Sequence, residues 1–224
     1  MNRNVKKYSH WASYRRQMLD RLQEKYRGLY KGIVLDIGGR DRGNFKKPKD
    51  KVQKWIFADI NQDHNPDITL DVSHMKQINS NSIDVISAIE LFEHVYEIEK
   101  GLQECYRVLK KKGVLILSMP FLFHIHADPY DFQRWTSTKW RIELKKIGFE
   151  IEKLIIMGKF YSILAEMYKS QLKSIKKRFI IGKLLFSIIL PSLNLLFKWD
   201  NKSFVKDDPI LNYYHAGYFI IAKK

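Results

Sequence analysis

The stretch Ile33-Val34-Leu35-Asp36-Ile37-Gly38-Gly39 decides the fold. A short apolar run that ends in two glycines reads as a buried strand followed by a tight turn. Glycine lets the backbone approach a ligand closely, and a strand-to-helix turn gathers N–H groups at one point. Working outward, Lys54–Asp59 is a second strand candidate and Asp67–Leu70 a short third. Ile83–Ile89 is a fourth, followed by a helix over 97–110 with Leu102, Tyr106 and Leu109 on one face. Val114–Ser118 is a fifth strand, stopped by Pro120. Thr136 or Ser137 caps a helix that reaches Ile147, Gly148 breaks it, and Phe149–Met157 is a sixth strand. Gly217–Ala222 is a seventh. Strands alternating with helices imply an α/β, doubly wound sheet whose ligand crevice lies at the carboxyl ends of the strands.

Upstream, residues 5–30 read as a helix carrying Trp11, Tyr14, Met18, Leu22 and Tyr26. The 224 residues are expected to form one domain, with a helical extension over 1–31 and a basic, apolar helical insertion over 159–206. The net charge is +16, and its distribution argues against a basic active-site cleft. Residues 1–31 hold nine basic and two acidic residues, and residues 159–206 hold ten and two. The remainder holds 21 and 20, so the core is nearly neutral and nucleic acid is not the expected partner. The lone Cys105 excludes an intrachain disulfide and fits a reducing compartment. No apolar run follows the basic N-terminus, so a cytoplasmic protein is expected.

Two acidic residues at strand ends strengthen the glycine turn. Asp59 closes Phe57-Ala58-Asp59-Ile60, about 20 residues past the turn, where a carboxylate can accept both hydroxyls of a ribose. Asp71, in Leu70-Asp71-Val72, follows the third strand and can take a hydrogen bond from an adenine amino group. In isolation either residue reads equally as a turn former or helix cap. A dehydrogenase is disfavoured, because positions 38, 40 and 43 read Gly, Arg, Gly rather than three glycines.

At Ser82–Val95 (Ser82-Ile83-Asp84-Val85-Ile86-Ser87-Ala88-Ile89-Glu90-Leu91-Phe92-Glu93-His94-Val95), the chain resembles the class I S-adenosylmethionine-dependent methyltransferases. Glu104-Cys105-Tyr106-Arg107-Val108-Leu109-Lys110, Gly113 and Ser118-Met119-Pro120 carry the same resemblance, which covers about residues 30–157 and the last strand. It implies a Rossmann-like seven-stranded sheet with an antiparallel last strand, and S-adenosylmethionine as cofactor. By the resemblance, Asp36, Gly38 and Gly39 shape the methionine pocket, Asp59 and Ile60 hold the ribose, and Asp71 and Val72 frame the adenine. Ile89 and Glu90 line the wall beside the sulfonium. Arg40 stands where many members carry a third glycine, and could reach the methionine carboxylate or a substrate phosphate.

The acceptor is expected at the loop after the fifth strand, Phe121–Trp135. In an extended chain His124, His126 and Asp128 point the same way. A neutral histidine can take a hydroxyl proton while a carboxylate orients it. Arg134 could grip a phosphate or carboxylate, and Tyr130 and Trp135 could stack on a sugar ring. Two other readings stand beside this one: a hydrogen-bonded surface loop, and a His/His/Asp metal site, although no metal is assigned. The loop resembles one in methyltransferases encoded with bacterial surface-polysaccharide pathways, which implies a sugar hydroxyl, or a related small acceptor, in glycan biosynthesis. An RNA methyltransferase and an inactive cofactor-binding module are the alternatives. The first lacks an Asn-Pro-Pro-Tyr-type motif after the fourth strand, where Ile89-Glu90-Leu91-Phe92 stands.

The insertion carries Lys173, Lys176, Lys177, Arg178 and Lys183 ahead of Leu184–Leu190, Pro191 and Leu193–Phe197. Only about 14 residues run without charge, short of the ~20 needed to span a membrane. Residues 160–198 could lie peripherally on the inner membrane face, cap the active site or form a dimer face; oligomeric state is not assigned.

Overall fold

The computed structural model describes residues 8, 12–39, 43–126, 130–178 and 180–224, with no side chain described at 176–183 and 185. Arg40, Asp128, Trp11 and Phe179 lie outside the described residues, as does most of the first part of the expected N-terminal helix. Contacts divide the chain into two compact units: Leu19–Ile155 with Tyr218–Lys224, and Met1–Met18 with Ile156–Gly217.

The first of these holds the sheet. Its strands are β1 (Gly32–Ile37), β2 (Val52–Asp59), β3 (Ile68–Thr69), β4 (Ile83–Ile89), β5 (Leu109–Pro120), β6 (Glu150–Ile156) and β7 (Gly217–Lys223), in the spatial order β3-β2-β1-β4-β5-β7-β6. β1 runs parallel to β2 and β4, and β4 parallel to β5, with Leu35 opposite Ile56 and Ile86, and Ile86 opposite Leu115. Leu35, Ile86 and Leu115 are fully buried, which is why these runs are continuously apolar. β7 is antiparallel: the Lys112 N–H at the start of β5 donates to the Lys224 carbonyl, and the Lys224 N–H donates to Gly113.

The helices follow sequence signals at both ends. α1 (Tyr14–Lys25) is shorter than the expected 5–30 helix and gives way to a 3-10 turn at Arg27–Leu29. α2 (Ile98–Val108) buries Ile98, Leu102, Cys105 and Val108 on one face. In α3 (Ser137–Ile147) the Thr136 hydroxyl accepts the Lys139 N–H at 3.2 Å, and Gly148 ends the helix at φ 113°, a conformation that favours glycine. β5 begins five residues earlier than expected, because Leu109 to Lys112 already pair despite their charge.

In the second unit α4 (Phe160–Arg178) and α5 (Ile180–Leu196) pack around Tyr14, Ala165, Leu172, Phe186, Leu190 and Leu193. Buried Asp200 fastens the start of α4 by accepting the N–H groups of Lys159, Tyr161 and Ser162. α5 runs through Pro191. Proline lacks an N–H, and the Ser192 hydroxyl donates to the Ile189 carbonyl at 2.7 Å within that turn. A short helix, α6 (Ser203–Lys206), follows. Among the described residues, no helix is long and apolar enough to cross a membrane.

Candidate active site

The strand order reverses beside β1, since β2 and β3 lie on one side of it and β4 and β5 on the other. A crevice opens at such a point, outside the carboxyl ends of the strands. Here it is a cavity of about 380 Å³ lined from β1 by Ile37 and Gly38, from β2 by Asp59 and Ile60, and after β4 by Glu90 and Leu91. Asp71 and Val72 close one side, and His94, Tyr96, Tyr130 and Phe132 stand on another.

The glycine turn is built for its place. Gly38 has φ 68°, and its N–H donates to Ala58 at 2.8 Å, tying β1 to β2. A Cβ at Gly39 would lie 2.1 Å from the Asp36 carboxylate, so no larger residue fits without displacement. Asp36 is buried and pairs with the Lys47 ammonium at 2.8 Å, and Lys47 also donates to the Gly39 carbonyl at 3.1 Å. Lys47 has no counterpart in the sequence reading; it arrives from the segment before β2 and braces the turn from outside.

Asp59 is buried at the end of β2. Its Oδ1 accepts the Asn61 N–H at 2.9 Å, and its Oδ2 lies 3.0 Å from His64 Nδ1. A carboxylate offers about four lone-pair sites, so accepting positions remain for a pair of ligand hydroxyls. Glu90 sits at φ 55°, a backbone strain typical of functional turns. Its N–H donates to the Ser118 carbonyl at 3.0 Å, and the Ser118 hydroxyl donates to Oε1 at 3.0 Å. Asp71 accepts the Ser73 N–H at 2.8 Å and remains half exposed at the cavity. Of the expected cofactor residues, Gly38, Asp59, Ile60, Asp71, Val72 and Glu90 therefore line one cavity. Asp36 and Gly39 support it from behind, and Ile89 lies at the end of β4 just before it.

The rings of His124 and His126 are neighbours, with centroids 5.9 Å apart, but neither residue lines the cavity. The carboxylate beside His126 is Asp131: Oδ2 accepts the His126 N–H at 2.9 Å and lies 3.4 Å from Nδ1. Burial would raise the Asp131 carboxyl, but the Arg134 guanidinium and the His126 N–H hold it down to about 2. Arg134 grips Asp131 through both terminal nitrogens rather than facing an open pocket. Burial is the largest influence on His126 and keeps its imidazole below the usual histidine range. Trp135 is 5% exposed and packs 4.7 Å from Trp140, so it is core and not a stacking surface. The exposed rings are Tyr96, Tyr130 and Phe132, with Tyr96 and Phe132 5.5 Å apart. Sequence reasoning passed over Tyr96 and Phe132, although their place at the carboxyl edge beside the fourth strand and loop was a signal.

Residues 46–117 match a family model described as a methyltransferase domain. The chain is similar in structure to a methyltransferase-like protein from Bacillus halodurans C-125, at 17% identity and a TM-score of 0.57 over 92% of this chain and 98% of that one. The fold is that of the S-adenosylmethionine-dependent methyltransferases. A second neighbour is a methyltransferase of this kind from Archaeoglobus fulgidus, at 16% identity and a TM-score of 0.54 over 93% of this chain and 94% of that one. A third is the cyclase SpnF, at 16% identity and a TM-score of 0.56 over 92% and 80%. A methyltransferase fold thus also carries other chemistry, and the site has to argue the reaction. The search of curated proteins returned no match.

Proposed function

We propose that the protein is an S-adenosylmethionine-dependent methyltransferase acting on a hydroxyl of a small ring-bearing acceptor, such as a sugar in glycan biosynthesis. The observation that carries this reading is the single cavity joining Gly38, buried Asp59, Asp71 and strained Glu90 at the switch point of the sheet. Its volume suits a nucleoside-sized ligand. Asp59 would hold the ribose hydroxyls, Ile60 and Val72 would flank the base with Asp71 at its edge, and the Gly38 turn would receive the amino-acid end. Arg40 stands beside that turn in sequence. When bound, S-adenosylmethionine supplies an electrophilic methyl group on a sulfonium centre, so the protein's task is mainly alignment.

The acceptor side is favoured by the exposed rings. A second cleft of about 510 Å³, lined by Tyr96, Glu97, Glu99, Lys100, Phe132 and Gln133, adjoins the first through Tyr96, Glu97 and Phe132. Aromatic faces and a few polar groups suit a ring with hydroxyls. His126, oriented by Asp131, is the group to accept the hydroxyl proton; His124 stands next to it, Arg134 positions Asp131, and Asp128 belongs to the same loop. Calorimetry with S-adenosylhomocysteine, then a methyl-transfer screen over sugar nucleotides, tests the reading. Binding at one site per chain is expected. A folded protein that ignores the ligand would instead be an inactive module, and transfer to RNA alone would replace the sugar acceptor.

The basic insertion supports a peripheral membrane location for this enzyme. Leu184, Ile188 and Leu195 on α5 are exposed, at 60%, 63% and 56%, in a segment of strong positive charge. Sedimentation with anionic vesicles, lost in Leu184→Glu/Ile188→Glu, tests this.

A further inference from the structure

Beside the cofactor cavity, the described residues hold one cluster with the donor types of a transition-metal site: Glu93, His94 and His126. One ligand atom from each lies within 4.8 Å of the other two. Glu93 is fully buried at the 3-10 turn Phe92–His94, and its Oε1 is 3.9 Å from His94 Nε2. The His94 and His126 rings meet edge to face with centroids 5.3 Å apart.

The surroundings decide which nitrogen each imidazole offers. His94 Nδ1 contacts the Tyr130 carbonyl oxygen, and His126 Nδ1 lies 3.3 Å from the His124 carbonyl and 3.4 Å from Asp131 Oδ2. All three partners can only accept, so Nδ1 carries the proton in both rings and Nε2 carries the lone pair. Ligating histidines have this arrangement: the second nitrogen donates to a carbonyl or carboxylate that fixes tautomer and orientation. The loop that brings His126 is strapped to the turn that brings Glu93 and His94. The Phe132 N–H donates to the Glu93 carbonyl at 2.8 Å, and the Gln133 amide donates to Val95 and Tyr96. Arg134, the nearby cation, is paired with Asp131.

We propose that Glu93, His94 and His126 bind one divalent first-row transition-metal ion. Two imidazoles and one carboxylate suit zinc, iron or cobalt and leave coordination positions open. Tetrahedral ligands around zinc stand about 3.3 Å apart, so binding draws the three groups together by up to roughly 1.5 Å. His94 also lines the cofactor cavity, so the ion adjoins the place where an acceptor oxygen would sit. An ion there would act as a Lewis acid on the acceptor hydroxyl, whose proton would pass to solvent water; His126 would then serve as a ligand, and its role as base belongs to the metal-free site. That use rests on the methyl-transfer reading, whereas binding does not.

The test uses the tag-free, full-length protein stripped with EDTA. Zinc is titrated by calorimetry and cobalt by its visible absorption, with S-adenosylhomocysteine affinity measured on the same samples. One ion per chain is expected, with tetrahedral or five-coordinate cobalt bands. His126→Ala, on a surface loop, is expected to weaken binding by at least about 100-fold, and Asp131→Asn by about 10–100-fold. Glu93→Gln tests the buried ligand, and its circular dichroism and cofactor affinity report folding. His124→Ala is expected to bind as the parent does. Absence of binding by the folded parent, unchanged affinity in folded His126→Ala or Glu93→Gln, or loss in His124→Ala would each overturn the assignment. Cofactor affinity without metal binding would sink this proposal alone, and metal binding without cofactor affinity would sink only the methyl-transfer reading.

Discussion

His64 Nδ1 stands 3.0 Å from Asp59 Oδ2, reaching back from the 3-10 turn Gln62–His64 to the end of β2. The contact holds the carboxylate in one orientation at the cavity, with the Asn61 N–H fixing the other oxygen. Removing the carboxylate removes the acceptor for ribose hydroxyls; removing the histidine only loosens it. Asp59→Ala is expected to weaken S-adenosylhomocysteine binding by about 1.5–3 kcal/mol, roughly 10–100-fold, as for hydrogen bonds to charged groups. His64→Ala should cost less, about 0.5–1.5 kcal/mol. Calorimetry on both variants checks the order; an unchanged affinity in Asp59→Ala would refute the ribose assignment.

Gly39 and Asp36 compete for one volume. A methyl group at Gly39 would sit 2.1 Å from the Asp36 carboxylate, which Lys47 holds from the other side. Gly39→Ala must therefore shift the turn or break the ion pair. A loss of about 1–3 kcal/mol in stability is expected, as for other overpacked sites, together with weaker cofactor binding. Urea unfolding and calorimetry measure the two effects, and Gly28→Ala, with nothing within 4 Å of its added Cβ, is the control.

The parts of this site that sequence revealed are those fixed by strand ends. Ile83–Ile89 forms the fourth strand at the expected bounds, because a parallel strand buried on both faces is mostly apolar, here with only Asp84 and Ser87 interrupting. Asp59 and Asp71 follow from the same logic. His64 was not legible, because it reaches Asp59 through a local turn with no periodic signature. Asp131 was not legible because it lies five residues beyond His126, outside the alternation of an extended chain, yet it accepts the His126 N–H. The start of β5 read as the end of the helix expected over 97–110, since its pairing depends on Ile83 and on Lys224 far along the chain.

Tyr96 is 77% exposed and stands edge-on to Phe132 where the two clefts meet. If an acceptor ring stacks there, losing the ring weakens ground-state binding and leaves the cofactor untouched. Tyr96→Ala is expected to raise the acceptor KM by about 3–10-fold, matching an aromatic contact of about 0.5–1.5 kcal/mol, with kcat within about twofold. Steady-state kinetics on the acceptor found by screening reads this split. A fall in kcat at constant KM would place the ring in alignment rather than in binding.

Lys169 is fully buried in α4, donates to the Ala12 carbonyl and lies 5.0 Å above the Tyr14 ring. Burial, the largest influence, lowers its ammonium to about 8; Glu166 opposes the shift and Lys173 adds to it. The unfolded chain keeps a lysine near 10.4. Between these values the unfolded state binds the extra proton, so stability rises with pH across that window. Below about 8 both states are protonated and the full penalty is present, whereas above about 10.4 neither is and the penalty is gone. Over the window the gain is about 3 kcal/mol. Lys169→Met keeps the length of the side chain and removes the titration, so the difference between parent and variant in urea unfolding should shrink by about 2 kcal/mol from pH 8 to 10, most of the full gain. A difference that stays flat with pH would show that Lys169 is solvated through local opening of the unit.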